Sequence, residues 1–159
     1  MSAMVGALEG FFSVDGHGLR VQIPHSWEAR IWASRDEASN PARDLAVIHA
    51  GSFALPHEDM HFGGLAPGKM RAGDFFIALV EYGKPSSDRW FKARGIPLPV
   101  TWLNFRESFV RNAIPQHVGL QHFFSLGERT FCLYVEGVGP PNAEGLAFLN
   151  ATLGTIETT

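Results

Sequence analysis

The chain has 159 residues, of which 45% are hydrophobic and 18% charged, and its formal net charge is −3. One domain over residues 1–159 is expected, long enough to bury a sizeable core. The balance is too apolar for disorder and too neutral for a polybasic footprint, so neither nucleic acid nor a membrane surface is expected as a partner.

Seventeen glycines and ten prolines favour many turns over long helices. Cys132 is alone, so an intrachain disulfide cannot form and redox chemistry does not fix the compartment. The first twelve residues lack a basic start and carry Glu9 where a signal's apolar run would lie, and no window reaches the length of a membrane span. A cytoplasmic protein is expected.

In chain order, residues 10–14 read as a strand, and Asp15-Gly16-His17-Gly18 supplies turn chemistry with glycines free to adopt positive φ. Leu19, Val21 and Ile23 alternate with Arg20 and Gln22, which completes a hairpin with a half-buried second strand. Pro24 breaks it, and Trp27 leads into a third strand over residues 28–34. Residues 35–44 are polar and contain Asn40-Pro41, an exposed loop. Residues 45–53 return to strand character. Residues 54–72 hold three glycines, two prolines and two histidines, a long irregular connection of the kind that is functional or mobile.

Residues 74–83, D-F-F-I-A-L-V-E-Y-G, organise the chain. Phe75, Ile77 and Leu79 point to one side of an extended strand, and Phe76, Ala78, Val80 and Tyr82 to the other. Both sides are apolar, which describes a central strand covered on two faces. A short helix is expected over residues 88–94, capped by Ser or Asp and ended by Gly95. Residues 101–103 fit a short edge strand. Residues 120–126 and 130–136 form a second hairpin around Gly127-Glu128. Asn142 caps a final helix whose apolar stripe is Leu146, Leu149, Leu153 and Ile156, with Phe148 off the stripe and expected to make a second core contact. The fold class expected is α+β: a mainly antiparallel sheet with a C-terminal helix on one face and a short middle helix.

No residue pattern names a reaction, and no cofactor is implied. His57-Glu58-Asp59-Met60-His61 satisfies H-E-x-x-H; on a helix His57 and His61 would sit one turn apart and bind Zn²⁺, with Glu58 activating water. Against that, Gly63-Gly64 stops any helix and no third ligand is assigned, so a solvated loop is the favoured reading. His49 and His122 lie inside strands and read as core histidines bonded to a neighbour, and Cys132 as a small buried hydrophobe. Thirteen Phe and four Trp are many for this length. Trp90, Phe91 and Trp102, with Arg94 and Arg106 nearby, form a candidate binding surface for a protein partner, a second copy or a small ligand, set against ordinary core filling.

Gly18-Leu19-Arg20-Val21-Gln22-Ile23-Pro24, with Trp27 three residues on, and Leu149-Asn150-Ala151-Thr152-Leu153 near the end resemble the Mog/PsbP-type α/β sandwich proteins. In those, a strand ending in Pro and then Trp opens the fold and a C-terminal helix closes it. The middle of the chain also resembles small bacterial proteins of unassigned role. The Mog/PsbP resemblance implies action by binding partners and brings no catalytic residues. A long helix expected after the opening strands is lacking here. The favoured function is therefore a non-enzymatic binding or assembly module; a zinc-dependent hydrolase at His57 and His61 and an aromatic-lined small-molecule pocket are the alternatives.

Overall fold

The computed structural model describes residues 8–35, 44–83 and 90–159. In chain order the described strands are β1 (Phe11–Gly16), β2 (Leu19–Pro24), β3 (Glu28–Arg35), β4 (Asp44–Gly51), β5 (Phe75–Tyr82), β6 (His117–Leu126), β7 (Arg129–Val138) and β8 (Glu157–Thr158). Helix α1 (Ala143–Leu153) is the one α-helix among the described residues, and it is neither long nor apolar enough to cross a membrane. The strands form two antiparallel sheets, one ordered β1-β2-β8 and one ordered β3-β4-β5-β7-β6.

β5 lies third of five, hydrogen-bonded to β4 and β7, with seven of its eight residues buried. Its apolar residues on both faces demand cover on both, because each large side chain taken from water contributes about 1.5–3 kcal/mol. On the first face Phe75, Ile77 and Leu79 join Ile48, Leu133 and Val135, roofed by Leu19, Val21 and Ile23 of the small sheet and by Leu149 and Leu153 of α1. On the second face Phe76, Ala78, Tyr134 and Val138 are covered by Phe53, Leu55, Phe62, Ala66 and Met70 from the long connection.

The turns follow from residue chemistry. His17 and Gly18 have φ of 51° and 76°, the two positive values that a two-residue turn needs to match strand twist. Asn142 Oδ1 accepts from the amides of Glu144 and Gly145 and starts α1. Asn150 then ties α1 to the preceding segment, accepting from the Val100 amide (2.7 Å) and donating to its carbonyl (2.9 Å). Phe148 packs edge-on against Phe11 at 5.9 Å.

The short middle helix expected over residues 88–94 is not supported. Asp88 and Arg89 lie outside the described residues. Beyond them, residues 91–94 are not helical, and Arg94 bridges Ser125 of β6. Phe91 is buried against Tyr82 and Phe123, and the Ala93 carbonyl accepts from the Ser125 amide, so contact with the sheet wins over local helix propensity. Residues 101–103 form no edge strand either. Trp102–Asn104 is a single 3₁₀ turn, closed by Asn104 Oδ1 accepting from the Thr101 amide at 2.7 Å.

Candidate functional site

Pleating sends alternate side chains of the large sheet to its second face, and the register aligns them in rows. Arg30 of β3 stands opposite His49 of β4, His49 opposite Ala78 of β5, and Ala78 opposite Tyr134 of β7. Glu136, two residues past Tyr134, stands opposite Phe76. Polar groups are thereby placed on an apolar face, where each needs a partner.

His49 is fully buried between Trp32 and Phe76, with ring centroids 4.6 and 5.0 Å away, both edge to face. Its Nε2 lies 2.6 Å from the His61 carbonyl oxygen, which can only accept, so the ring carries its proton there. Nδ1 is buried without a hydrogen-bond partner. Burial pushes the imidazole pKa down to about 4, with the His61 bond opposing, so His49 is neutral near pH 7.

Glu136 is fully buried and uses both oxygens. Tyr134 Oη donates to Oε1 at 2.5 Å, and His117 Nδ1 lies 2.5 Å from Oε2. Burial, then the adjoining carboxylate, push the Tyr134 phenol well above its usual range. The Arg111 amide donates to Tyr134 Oη at 3.3 Å. His117 in turn lines a cavity of about 350 Å³ with Glu107, Ile114 and Gln116. A carboxylate holding an imidazole by Nδ1 fixes the ring's orientation and tautomer, the arrangement that proton-handling sites use.

The long connection crosses this face and is pinned at several points. Asp59 Oδ1 accepts from the amides of Met60 and Leu65, and Oδ2 from Ala66, all at 2.8 Å. Arg30 Nη1 donates to the His57 carbonyl, and Gly63 (φ 81°) lies directly against the Phe76 ring. Across the gap, Asn112 Nδ2 approaches the Gly64 carbonyl at 3.4 Å.

Between this loop and the segment leading into β6 lies a cleft of about 630 Å³, lined chiefly by Trp32, Met60, His61, Phe62, Arg111 and Asn112. A smaller neighbour of about 390 Å³ shares Trp32 and Asp59 and reaches Arg30, His57 and Glu58. The Arg111 guanidinium sits 3.9 Å from the Phe62 ring centroid and 5.7 Å from that of Tyr134; that of Arg30 sits 5.2 Å from Trp32.

The structure places the sequence-derived candidates unevenly. Residues 57–60 form bends and coil and His61 opens a turn, so His57 and His61 do not share a helical face; both side chains are exposed, and no group of three or more His, Cys, Asp or Glu that could hold a metal gathers among the described residues. The surface set does not assemble. Trp102 packs on Phe75 and Phe105 at one end of β5, whereas Phe91 packs on Tyr82 at the other end and on the opposite face. Trp90 is 66% exposed over Phe123, and Arg106 pairs its backbone with Gly119. Cys132 is buried, and burial raises its thiol pKa. His122 Nε2 meets the Gly95 carbonyl at 3.0 Å.

The residues missed were Trp32 and the Tyr134–Glu136–His117 set. Glu136 carried a signal, a carboxylate inside the apolar run F-C-L-Y-V-E-G-V. Comparisons with protein-family models, with curated proteins and with solved structures return no match, so the site is read from its own geometry.

Proposed function

We propose that this protein is a binding module whose ligand is a small molecule held in the cleft between Trp32, the loop at residues 57–64 and Arg111. The observation that carries this reading is the cleft of about 630 Å³ with aromatic walls and a few polar groups at its rim, the usual form of a small-molecule site. The walls are stiff: Asp59, the His49 bond and the Phe76 contact fix the loop. A preformed cleft loses little ordering entropy on binding. The resemblance to Mog/PsbP-type proteins supports a binding role by analogy alone, and a cytoplasmic setting and a protein partner or second copy remain part of the same proposal. The zinc-dependent hydrolase reading draws no support from the loop conformation of His57 and His61.

The test is Trp emission titrated with a panel of small planar molecules. A saturable change that is lost in Trp32→Phe is expected for at least one of them. A flat response across the panel overturns the reading.

A further inference from the structure

Two guanidiniums, those of Arg111 and Arg30, border the cleft and its smaller neighbour in a chain whose net charge is −3. Arg111 is stacked on Phe62 and Arg30 on Trp32, and no carboxylate pairs with either among the described residues. Asp59 lines the cleft, yet its two oxygens are occupied by three backbone amides. Arg30 Nε and Nη2, the two donors on one edge of its guanidinium, are buried with no partner. His49 beneath contributes no charge near pH 7. Glu58, exposed at the outer end of the smaller cavity, is the one carboxylate there not drawn into the loop's hydrogen bonds.

The amides of Met60, Leu65 and Ala66 are turned to Asp59, and that of Gly63 to the Met60 carbonyl. The charged donor at the rim is the guanidinium of Arg111, exposed and oriented by its stack on Phe62. A planar fork of this kind matches a carboxylate, two parallel N–H donors to two oxygens.

We propose that the ligand is a small aromatic carboxylate, its ring against Trp32 and its carboxylate on the Arg111 guanidinium, with Arg30 adding to the positive potential from the sheet side. This rests on the cleft reading above and names its ligand class.

Calorimetric titration with 2-naphthoate and with the neutral 2-naphthalenemethanol tests it. The acid is expected to bind about fivefold tighter or better, a preference that falls to within about twofold in Arg111→Gln and is partly kept in Arg111→Lys. The alcohol should bind both variants as it binds the parent protein, which also reports that they are folded. Equal affinity for acid and alcohol in the parent protein overturns the carboxylate while the cleft stands. So does a preference for the acid that survives Arg111→Gln. Failure of both probes to bind overturns the carboxylate and the cleft together.

Discussion

His49 Nε2 and the His61 carbonyl oxygen lie 2.6 Å apart, and this bond joins the floor of the sheet to the loop that walls the cleft. The imidazole is fully buried, and its pKa falls from the ordinary 6.5 to about 4. Between those two values the unfolded chain binds a proton there that the folded chain refuses, so stability rises with pH. The contribution is complete above about pH 6.5, is lost as pH falls toward 4, and amounts to about 3 kcal/mol over that window. His49→Gln keeps an amide donor in reach of the carbonyl and cannot titrate. Urea denaturation from pH 7 to pH 4 should show a steeper loss of stability for the parent protein than for the variant; parallel curves would sink the assignment.

Gly63 determines how closely the same loop can lie. Its φ is 81°, and a Cβ there would stand 2.5 Å from Phe76 Cε1, inside a core that cannot yield. Gly127 has φ 59° with open space around it. Gly127→Ala should therefore cost about 1 kcal/mol, the backbone effect alone. Gly63→Ala should cost about 3 kcal/mol or more, because overpacking adds to strain, or else should lift the loop and weaken ligand binding. Thermal denaturation of the two variants side by side measures the difference, and equal losses would refute the contact.

A second tie runs across the opposite face. Arg129 Nη2 and Nε each lie 2.8 Å from an oxygen of Glu81, and Nη1 and Nη2 donate to the Gly18 and His17 carbonyls. Glu81 is fully buried, whereas the Arg129 side chain is 17% exposed. Arg129→Met removes two charge-assisted bonds from a buried carboxylate and should cost about 3 kcal/mol. Adding Glu81→Gln should restore part of that loss, since a neutral amide needs the guanidinium less. Chemical denaturation of the single and double variants decides it; a double variant weaker than the sum of both singles would contradict the pairing.

The frame was legible because it is local. Alternation marked β2, two-sided apolarity marked β5, turn residues marked both hairpins, and Asn142 with Leu149 and Leu153 marked α1. What was not legible depends on partners remote in the chain. β8 exists only because Leu19 and Arg20 pair with it. Residues 91–94 forgo a helix because Phe91 finds Phe123. The site is a product of register: nothing near Arg30 in sequence says that His49 and then Tyr134 will stand beside it in the same row. Nor does the H-E-x-x-H pattern reveal that Asp59, between its two histidines, gathers three amides and shapes a loop.

The Tyr134–Glu136–His117 set poses the remaining question, whether it stabilises the fold or is held for something else. Glu136→Leu removes the shared acceptor of a buried hydroxyl and a buried ring nitrogen. Such orphaned groups cost about 1–3 kcal/mol each, so a loss of about 3 kcal/mol is expected although the new side chain is more apolar. Tyr134→Phe deletes the donor to Glu136 and the acceptor of the Arg111 amide, and should cost about 1–3 kcal/mol. The triple variant Tyr134→Phe, Glu136→Leu, His117→Leu leaves only the Arg111 amide without its acceptor and should return to within about 2 kcal/mol of the parent, as apolar replacement of buried polar clusters often does. Urea denaturation of the three variants orders them. If the triple variant is instead the least stable, the network holds the second face together; if it recovers, stability does not explain a carboxylate at 0% exposure on this face.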